Sequence, residues 1–296
     1  MNTKTLIITA LISVLVAYAG NTLAQPANPK TNSRMLYHDG KVFSGTSHIY
    51  FIYYGCWGLP HCWNGSDTAS MDVLSTFAST VGNSPYLQIN STYPDSTGQA
   101  PSGVVIYGGD VFDPYSHGVE ITRGDVEDMI SRQINNFQLP QDSQGIYVII
   151  SSADVSANDM GFCSPGAPTF HSVGIINSAR LTYGFIGNPM RCPTAAGAPY
   201  FWPGGSGLTT PNGSFAGDAM VTNLAHILNT TLTNPWGNGW YDRYGLENGD
   251  KCAGMLGTTY TTSNGASANV RIGSRDYLLE QNWLNDKKGR CALTRF

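Results

Sequence analysis

Apolar residues follow two different periodicities along residues 48–187. Short runs rich in aromatic and β-branched residues, bounded by glycine or serine, predict buried strands. Stretches with apolar residues three and four positions apart predict amphipathic helices. The predicted strands are 48–55, 103–108, 145–152 and 181–187, and the predicted helices are 66–81 and 122–137. Strands that alternate with helices indicate an α/β or α+β fold around a central mixed sheet.

Residues 161–217 break this pattern. The segment is rich in Gly, Pro, Ser and Thr and holds two of the six cysteines. It predicts a region of loops and short strands that a disulfide holds together. Binding groups are over-represented on loops, so the region is either a functional surface or a variable surface insertion.

A long helix is predicted next, over residues 218–233. Met220 and Leu224 lie on its apolar stripe. Asp218 stands at the capping position, and Pro235 stops the helix near Asn234. We expect the opposite face to be polar, because it carries Thr222, His226, Asn229, Thr230 and Thr233.

The N-terminal segment has the order of a secretory signal peptide. Lys4 supplies an early positive charge, an apolar run of 14 residues extends from Leu6 to Ala19, and small residues lead to Ala24. The run is shorter than the ~20 residues of a membrane-spanning helix, which argues against the alternative, an uncleaved anchor. We therefore expect a signal peptide over 1–24, a loose leader over 25–45, and one domain over 46–296 of a secreted protein that no longer contacts the membrane.

The cysteines agree with export, since an even number in a secreted chain is typical of disulfides. Pairing neighbours in sequence predicts three bridges, although other connectivities remain open: Cys56–Cys62, Cys163–Cys192 and Cys252–Cys291. A zinc site is the alternative reading of the cysteines, but no CxxC pair is present. Sequons for N-linked glycans begin at Asn64, Asn90, Asn212 and Asn229.

Composition narrows the class of partner. Removal of residues 1–24 takes one lysine and no acid, which changes the formal net charge from −4 to −5. Only 12% of the residues are charged, and a mildly acidic, charge-poor surface does not suit nucleic acid or anionic membrane. The 34 glycines and 16 tyrosines are often seen in extracellular proteins that contact carbohydrate, which makes an extracellular glycan or wall polymer a candidate partner.

Several segments resemble the phosphate-induced protein/EXORDIUM family of secreted plant cell-wall proteins. The segments are GIYVIISSADV (145–155), GFC (161–163) with His171, YGFIGNPMRCP (183–193), TPNG (210–213), LTNPWGNGWYD (232–242) and RDYLL…GRC (275–291). The resemblance covers residues 46–291 and implies an apoplastic protein linked to growth or nutrient signalling, with no agreed chemical activity to carry over. Ser164 follows GFC where the family has a second cysteine nearby, which puts the family's disulfide pattern in doubt.

A fainter resemblance concerns the helix over 218–233, which is similar to the metal-binding helix of secreted bacterial zincin-like proteins. GWYD (239–242) and NGDKC (248–252) accompany it. The alignment places His226 at the position of the histidine ligand, but Ile227 at that of the general-base glutamate and Thr230 at that of the second ligand. Isoleucine cannot accept a proton and threonine is a poor zinc ligand.

The candidate site therefore has no expected catalytic residue and no expected cofactor. We expect His226 to act as a hydrogen-bonding group on a zincin-like scaffold. The alternative is a zinc-dependent hydrolase in which folding brings His171, Asp242 or Asp250 to His226. A carbohydrate-active enzyme would instead need two facing carboxylates, and its candidates are Asp110, Glu120 and Asp154. Finally, we expect the tryptophans in loops to cover the ends of the core, and the loop CWGLPHC (56–62) is the best candidate for the alternative, in which a short disulfide loop holds Trp57 and His61 outward.

Overall fold

The computed structural model describes residues 33–62, 65–164, 169–197, 199–201 and 204–296. The predicted signal peptide, the leader up to residue 32 and the sequon at Asn64 lie outside these ranges. Within them, none of the helices combines the length and the apolarity that crossing a bilayer requires.

A five-stranded mixed sheet forms the centre of the fold. A short strand, β1 Met35–Tyr37, comes first in the sequence and lies outside this sheet. The five strands of the sheet are β2 Ser47–Tyr54, β3 Val105–Asp113, β4 Gly145–Ser151, β5 Thr169–Ile176 and β6 Ala179–Ile186. The spatial order is β3-β2-β4-β6-β5. The first four of these strands are parallel, and β5 pairs antiparallel with β6 at one edge. The predicted α/β class with a central mixed sheet is confirmed.

Helices cover both faces of this sheet. They are α1 Thr68–Thr80, α2 Arg123–Asn135, the short α3 Pro193–Ala196 and α4 Phe215–Thr233. Apolar side chains of α1 and α4 share one buried cluster with Phe51 and Tyr53 of β2. The α2 side chains pack with Tyr50 and Ile52 of the same strand on the other face. Successive side chains of a strand point to opposite faces, so β2 can be apolar throughout because both of its faces are covered.

The helix starts follow from capping chemistry. The Asp67 side chain accepts a hydrogen bond from the Ser70 N–H, 2.8 Å away, at the start of α1. Thr122 and Asp125 form a reciprocal capping box at the start of α2. Both helices lie within one to two residues of where the apolar periodicity predicts them.

Strand β5 was not predicted from the Gly- and Ser-rich segment 161–217, although β6 in the same segment was. Its side chains are only half-buried along most of its length, since it is an edge strand with one side covered. An edge strand therefore lacks the continuous apolar run that identifies β2 and β4. The disulfide Cys163–Cys192 spans β5 and β6, so a disulfide does hold this region.

The polar face of α4 is buried rather than exposed to solvent. Every residue of α4 except His226 is buried. The polar side chains are accommodated by hydrogen bonds within the helix: the Thr230 hydroxyl donates to the His226 carbonyl at 2.9 Å, and the Asn229 amide donates to the Ala225 carbonyl at 2.7 Å. The helix also begins earlier than predicted, because Ser214 rather than Asp218 caps it.

The chain before residue 46 is less loose than expected. Residues 35–37 form β1, which pairs antiparallel with β7, Trp240–Asp242. Met35 and Phe43 are buried. Burial of these apolar side chains fixes residues 33–45 against the body of the protein. The polar, proline-containing segment before them led the sequence analysis to predict a loose leader instead.

The C-terminal part is built from short strands. They are β8 Tyr260–Thr261, β9 Ser267–Ala268, β10 Val270–Ile272, β11 Arg275–Tyr277, β12 Asn282–Leu284 and β13 Arg290–Ala292, paired as three two-stranded sheets. The structure joins Cys252 to Cys291 and Cys56 to Cys62, so all three bridges are the ones predicted from neighbours in sequence.

Two of the four sequons are incompatible with a glycan in this fold. Asn90 and Asn229 are fully buried, and the Asn90 side-chain amide donates to the Asn229 side-chain oxygen at 2.8 Å. A sugar on either amide would have to displace core atoms. Asn212 is half-buried, and its side-chain amide donates to Asp218 at 2.6 Å.

Candidate functional site

Two histidines and three acids meet where α4 faces the C-terminal part of the chain. We call this group the histidine–carboxylate cluster; its members are His171, His226, Glu247, Asp250 and Glu280. They come from β5, from α4, from the segment after β7 and from the segment before β12. The fold therefore joins residues that lie more than a hundred positions apart in sequence.

His226 is the centre of the cluster. Its Nε2 lies 3.2 Å from an Asp250 carboxylate oxygen, and its Nδ1 lies 3.5 Å from a Glu280 carboxylate oxygen. Burial alone would lower the pKa of His226, but the hydrogen bonds and charges of these two carboxylates raise it to about 10. At neutral pH the side chain is therefore an imidazolium held between two anions.

The two carboxylates are themselves fixed by backbone donors. Burial would raise the pKa of Asp250, but His226 and the Glu247 N–H, 2.9 Å away, lower it to about 2. Glu280 accepts a hydrogen bond from the Gly254 N–H at 2.9 Å. Gly249 has no side chain where a Cβ would lie 3.0 Å from the His226 ring, which lets the chain approach the imidazole closely.

A second histidine–carboxylate pair adjoins the first. The His171 Nε2 lies 2.6 Å from a Glu247 carboxylate oxygen, and the other Glu247 oxygen accepts a hydrogen bond from the Asn234 amide. Asn234 is the residue that ends α4, and its side-chain oxygen accepts from the Gly239 N–H at 2.6 Å. The NPWGNG segment thus folds back on the helix end and positions Glu247.

Asp242 does not join the cluster, although the sequence made it a candidate. It forms an ion pair with Lys251 at 3.2 Å, in which both side chains are fully buried. The Tyr244 and Leu246 N–H groups and the Ser33 hydroxyl also donate to its carboxylate. Burial would raise the pKa of Asp242, but these hydrogen bonds and Lys251 hold it below its usual value.

The side chains of α4 offer few ligand atoms to a metal ion. Both ring nitrogens of His226 face carboxylates, Ile227 is fully buried in the core, and the Thr230 hydroxyl is engaged with the helix backbone. Among the described residues, one group of three has metal-ligating side chains close together: Cys56, His61 and Cys62. Its two sulfurs form a disulfide, so they are not thiolate ligands. The zincin-like character of α4 stays a prediction.

The acids proposed for sugar hydrolysis have local partners. The Asp110 carboxylate accepts from the Tyr107 hydroxyl on the same strand. Asp154 accepts from the Ser152 and Tyr115 hydroxyls, both at 2.6 Å. Asp110 lies within β3, and each carboxylate is held by hydroxyl groups close to it in the fold.

The loop over residues 56–62 holds only one of its two aromatic groups outward. Trp57 is buried, and its indole N–H donates to the Tyr54 carbonyl at 3.1 Å. His61 is exposed, as expected. The bridge Cys56–Cys62 therefore directs the indole into the core.

Sequence reasoning found three members of the cluster and missed two. His171, His226 and Asp250 were candidates, whereas Glu247 and Glu280 were not. Glu247 lies between the GWYD and NGDKC segments, and Glu280 follows RDYLL. The signal available for both glutamates was their position beside or within segments that carry the resemblances.

Comparison with known proteins gives a consistent family. The phosphate-induced protein 1 conserved region matches residues 35–292. Protein EXORDIUM-like 5 of Arabidopsis thaliana is 30% identical over 280 residues, covering 88% of this chain and 74% of that protein. Protein EXORDIUM-like 3 of the same plant is 28% identical over 325 residues, covering 94% of each. Protein PHOSPHATE-INDUCED 1 of Nicotiana tabacum is 25% identical over 254 residues, covering 81% and 78%. No solved structure matches the chain.

Proposed function

This chain belongs to the phosphate-induced protein 1 family, and from that premise we propose that it is a secreted, wall-associated extracellular protein that binds its ligand without catalysing a reaction. Its place in growth or nutrient signalling would then depend on binding. The observation that carries the proposal is the position of the His226 ring, which lies between the Asp250 and Glu280 carboxylates on the helix that would otherwise supply catalytic groups.

The protonation states of the cluster argue against acid–base catalysis. An efficient general base or acid has a pKa near the working pH. His226, with a pKa of about 10, keeps its proton at neutral pH, and Asp250, with a pKa of about 2, remains ionised. An imidazolium also has no lone pair for zinc, which binds the neutral ring. The same groups instead tie α4 to the segment that precedes β12.

The disulfides support the extracellular location. All six cysteines are paired, and none is free among the described residues. Disulfides persist in oxidising compartments and are rare in the cytosol. A predicted signal peptide at 1–24 agrees with the same route.

Metal content and turnover of the purified, secreted protein test the proposal. We expect no stoichiometric zinc by mass spectrometry in the wild type or in His226→Ala, and no release of products from peptide, ester or polysaccharide substrates. His61→Ala, which removes an exposed histidine elsewhere, is the matched control.

Two results would overturn this function. One is about one zinc ion per chain that is lost in His226→Ala and retained in His61→Ala, as a three-ligand catalytic site would require. The other is release of reducing ends from a glycan at a rate that depends on Asp250 or Glu280.

A further inference from the structure

A cleft of about 590 Å³ opens beside β1, β7 and β12. We call it the tryptophan cleft; it is lined by Arg34, Trp240, Trp283 and the loop 285–289, together with Ser33 and Met35. Its volume lies within the range of small-molecule sites in proteins. None of the five residues of the histidine–carboxylate cluster lines it.

The aromatic wall of the cleft is rigid. The Trp240 indole N–H donates to the Pro94 carbonyl at 3.0 Å, and its ring packs against Tyr37 and Tyr93 with centroid distances of 5.3 and 5.6 Å. The side chain is nevertheless only half-buried. Such a held indole offers an apolar surface at little conformational cost on binding.

The rim of the cleft is positively charged. Its one acid, Asp286, forms an ion pair with Arg290 and accepts hydrogen bonds from the Lys288 and Gly289 N–H groups at 3.0 and 2.8 Å. Arg34, Lys287 and Lys288 are exposed. The ion pairs formed by the described residues include none of these three cations.

This local charge runs against that of the whole chain, whose formal net charge is −4. Three unpaired cations around one concave, aromatic-lined surface concentrate positive potential there. The cleft therefore favours a ligand that has both an apolar face and a negative charge.

Resting on the proposed function, we infer that the tryptophan cleft binds an acidic sugar chain through its carboxylates. A pyranose ring has an apolar C–H face that can lie on the Trp240 indole, and its hydroxyls can remain in water. The carboxylates would lie near Lys287, Lys288 and Arg34, where charge-assisted hydrogen bonds are stronger than neutral ones. A neutral sugar would form no ion pair with these cations, and inorganic phosphate has no apolar face to pack on the indole.

Calorimetric titration of the full secreted protein tests this assignment with defined probes. The probes are oligogalacturonides, the same oligomers as methyl esters, a sulfated oligosaccharide and inorganic phosphate. We expect binding of the carboxylated oligomers that weakens with added salt, weaker binding of the esters, and little binding of phosphate. Stronger binding of the sulfated probe than of the carboxylated one would overturn the assignment to carboxylates.

The matched variants separate the cleft from general surface charge. Lys287→Gln/Lys288→Gln should weaken oligogalacturonide binding about tenfold. Arg132→Gln/Arg191→Gln removes the same charge from α2 and from the segment after β6, and should leave the affinity within about twofold. Trp240→Leu should weaken binding of charged and esterified oligomers alike.

The outcomes distinguish this inference from the function on which it rests. If the two double variants weaken oligogalacturonide binding equally, or if neither weakens it, the binding site lies outside the cleft. Either result would leave the proposed binding function intact. No binding of any sugar by the wild type would refute the cleft assignment. Zinc content or turnover would refute the non-catalytic function whatever the titrations give.

Discussion

The histidine–carboxylate cluster and the tryptophan cleft both contain charged groups, but they use them in opposite ways. In the cluster, His226 lies between two carboxylates, and His171 is paired with Glu247. In the cleft, three exposed cations face a cavity and form no ion pair among the described residues. Paired, desolvated charges fix a structure, whereas unpaired charges around a concavity are available to a ligand.

One short turn connects the two regions. Residues 250–252 form a single helical turn, in which Asp250 faces His226 and the Lys251 ammonium lies 4.4 Å from the centre of the Trp283 ring. Cys252 then joins Cys291. Substituting charged residues on either side of this turn should therefore show which of the two regions stabilises the fold.

The largest expected effect is on the buried ion pair that supports this turn. Lys251→Met should lower the free energy of unfolding by about 3–5 kcal/mol, because it leaves the Asp242 carboxylate buried without its counter-ion. Urea denaturation measures the change. Arg271→Met, which breaks an exposed ion pair with Asp276, is the control and should cost at most about 1 kcal/mol.

The double variant Lys251→Met/Asp242→Asn sharpens this test. Removing both charges should restore part of the lost stability, since no isolated charge remains buried. A single variant that unfolds no more easily than Arg271→Met would show that the pair is not desolvated.

The next effect concerns the cluster and its pH dependence. His226→Gln should lower the free energy of unfolding by about 2 kcal/mol near pH 6, because Asp250 and Glu280 lose a charged partner. The pKa of His226 is raised from 6.5 to about 10 on folding. Its contribution is therefore complete below pH 6.5 and is lost as the pH rises through 10.

Urea denaturation from pH 5 to pH 10 checks the sign. The wild type should lose stability toward pH 10, and His226→Gln should lose less. His48→Gln, which removes a more exposed histidine paired with Asp142, is the control and should change the stability less than His226→Gln. On the acid side, Asp250, whose pKa falls from 3.8 to about 2, contributes above pH 3.8 and loses this contribution as the pH falls through 2.

A smaller effect is expected where the backbone approaches the imidazole. Gly249→Ala would place a Cβ 3.0 Å from the His226 ring, so the ring or the turn must shift by a few tenths of an ångström. We expect a loss of about 1 kcal/mol, measured by urea denaturation. Gly265→Ala is not a fair control because of its positive φ, whereas Gly45→Ala meets no atom within 4 Å and should change little.

Burial and tertiary contacts explain which elements and site residues could be predicted from the sequence. Strands β2 and β4 were identifiable because both of their faces are buried, and α4 because its apolar residues recur at helical spacing. The half-exposed edge strand β5 lacked either signal. The candidates His226, His171 and Asp250 were found from motifs, but Glu280 reaches His226 only through the tertiary fold.

Charge pairing was the hardest feature to predict. Asp242 was a candidate ligand because Lys251, nine residues later, was not considered as its partner. The cleft was not predicted at all, since Arg34, Trp240 and Lys288 come from three distant segments. Periodicity reports which side chains are buried, whereas the pairing of charges depends on which segments the fold brings together.

The smallest expected change in stability follows from substitutions in the cleft. This change decides whether the charges of the cleft serve the fold or a ligand. Lys287→Gln/Lys288→Gln should alter the free energy of unfolding by less than about 0.5 kcal/mol, because both side chains are exposed and have no ion pair to lose. Urea denaturation beside the binding titration measures both properties of one variant. If these lysines served the fold as His226 does, the double variant would be destabilised by 1 kcal/mol or more, and any loss of binding would follow from unfolding. Unchanged stability with about tenfold weaker binding would instead show that the cleft's unpaired charges serve the ligand.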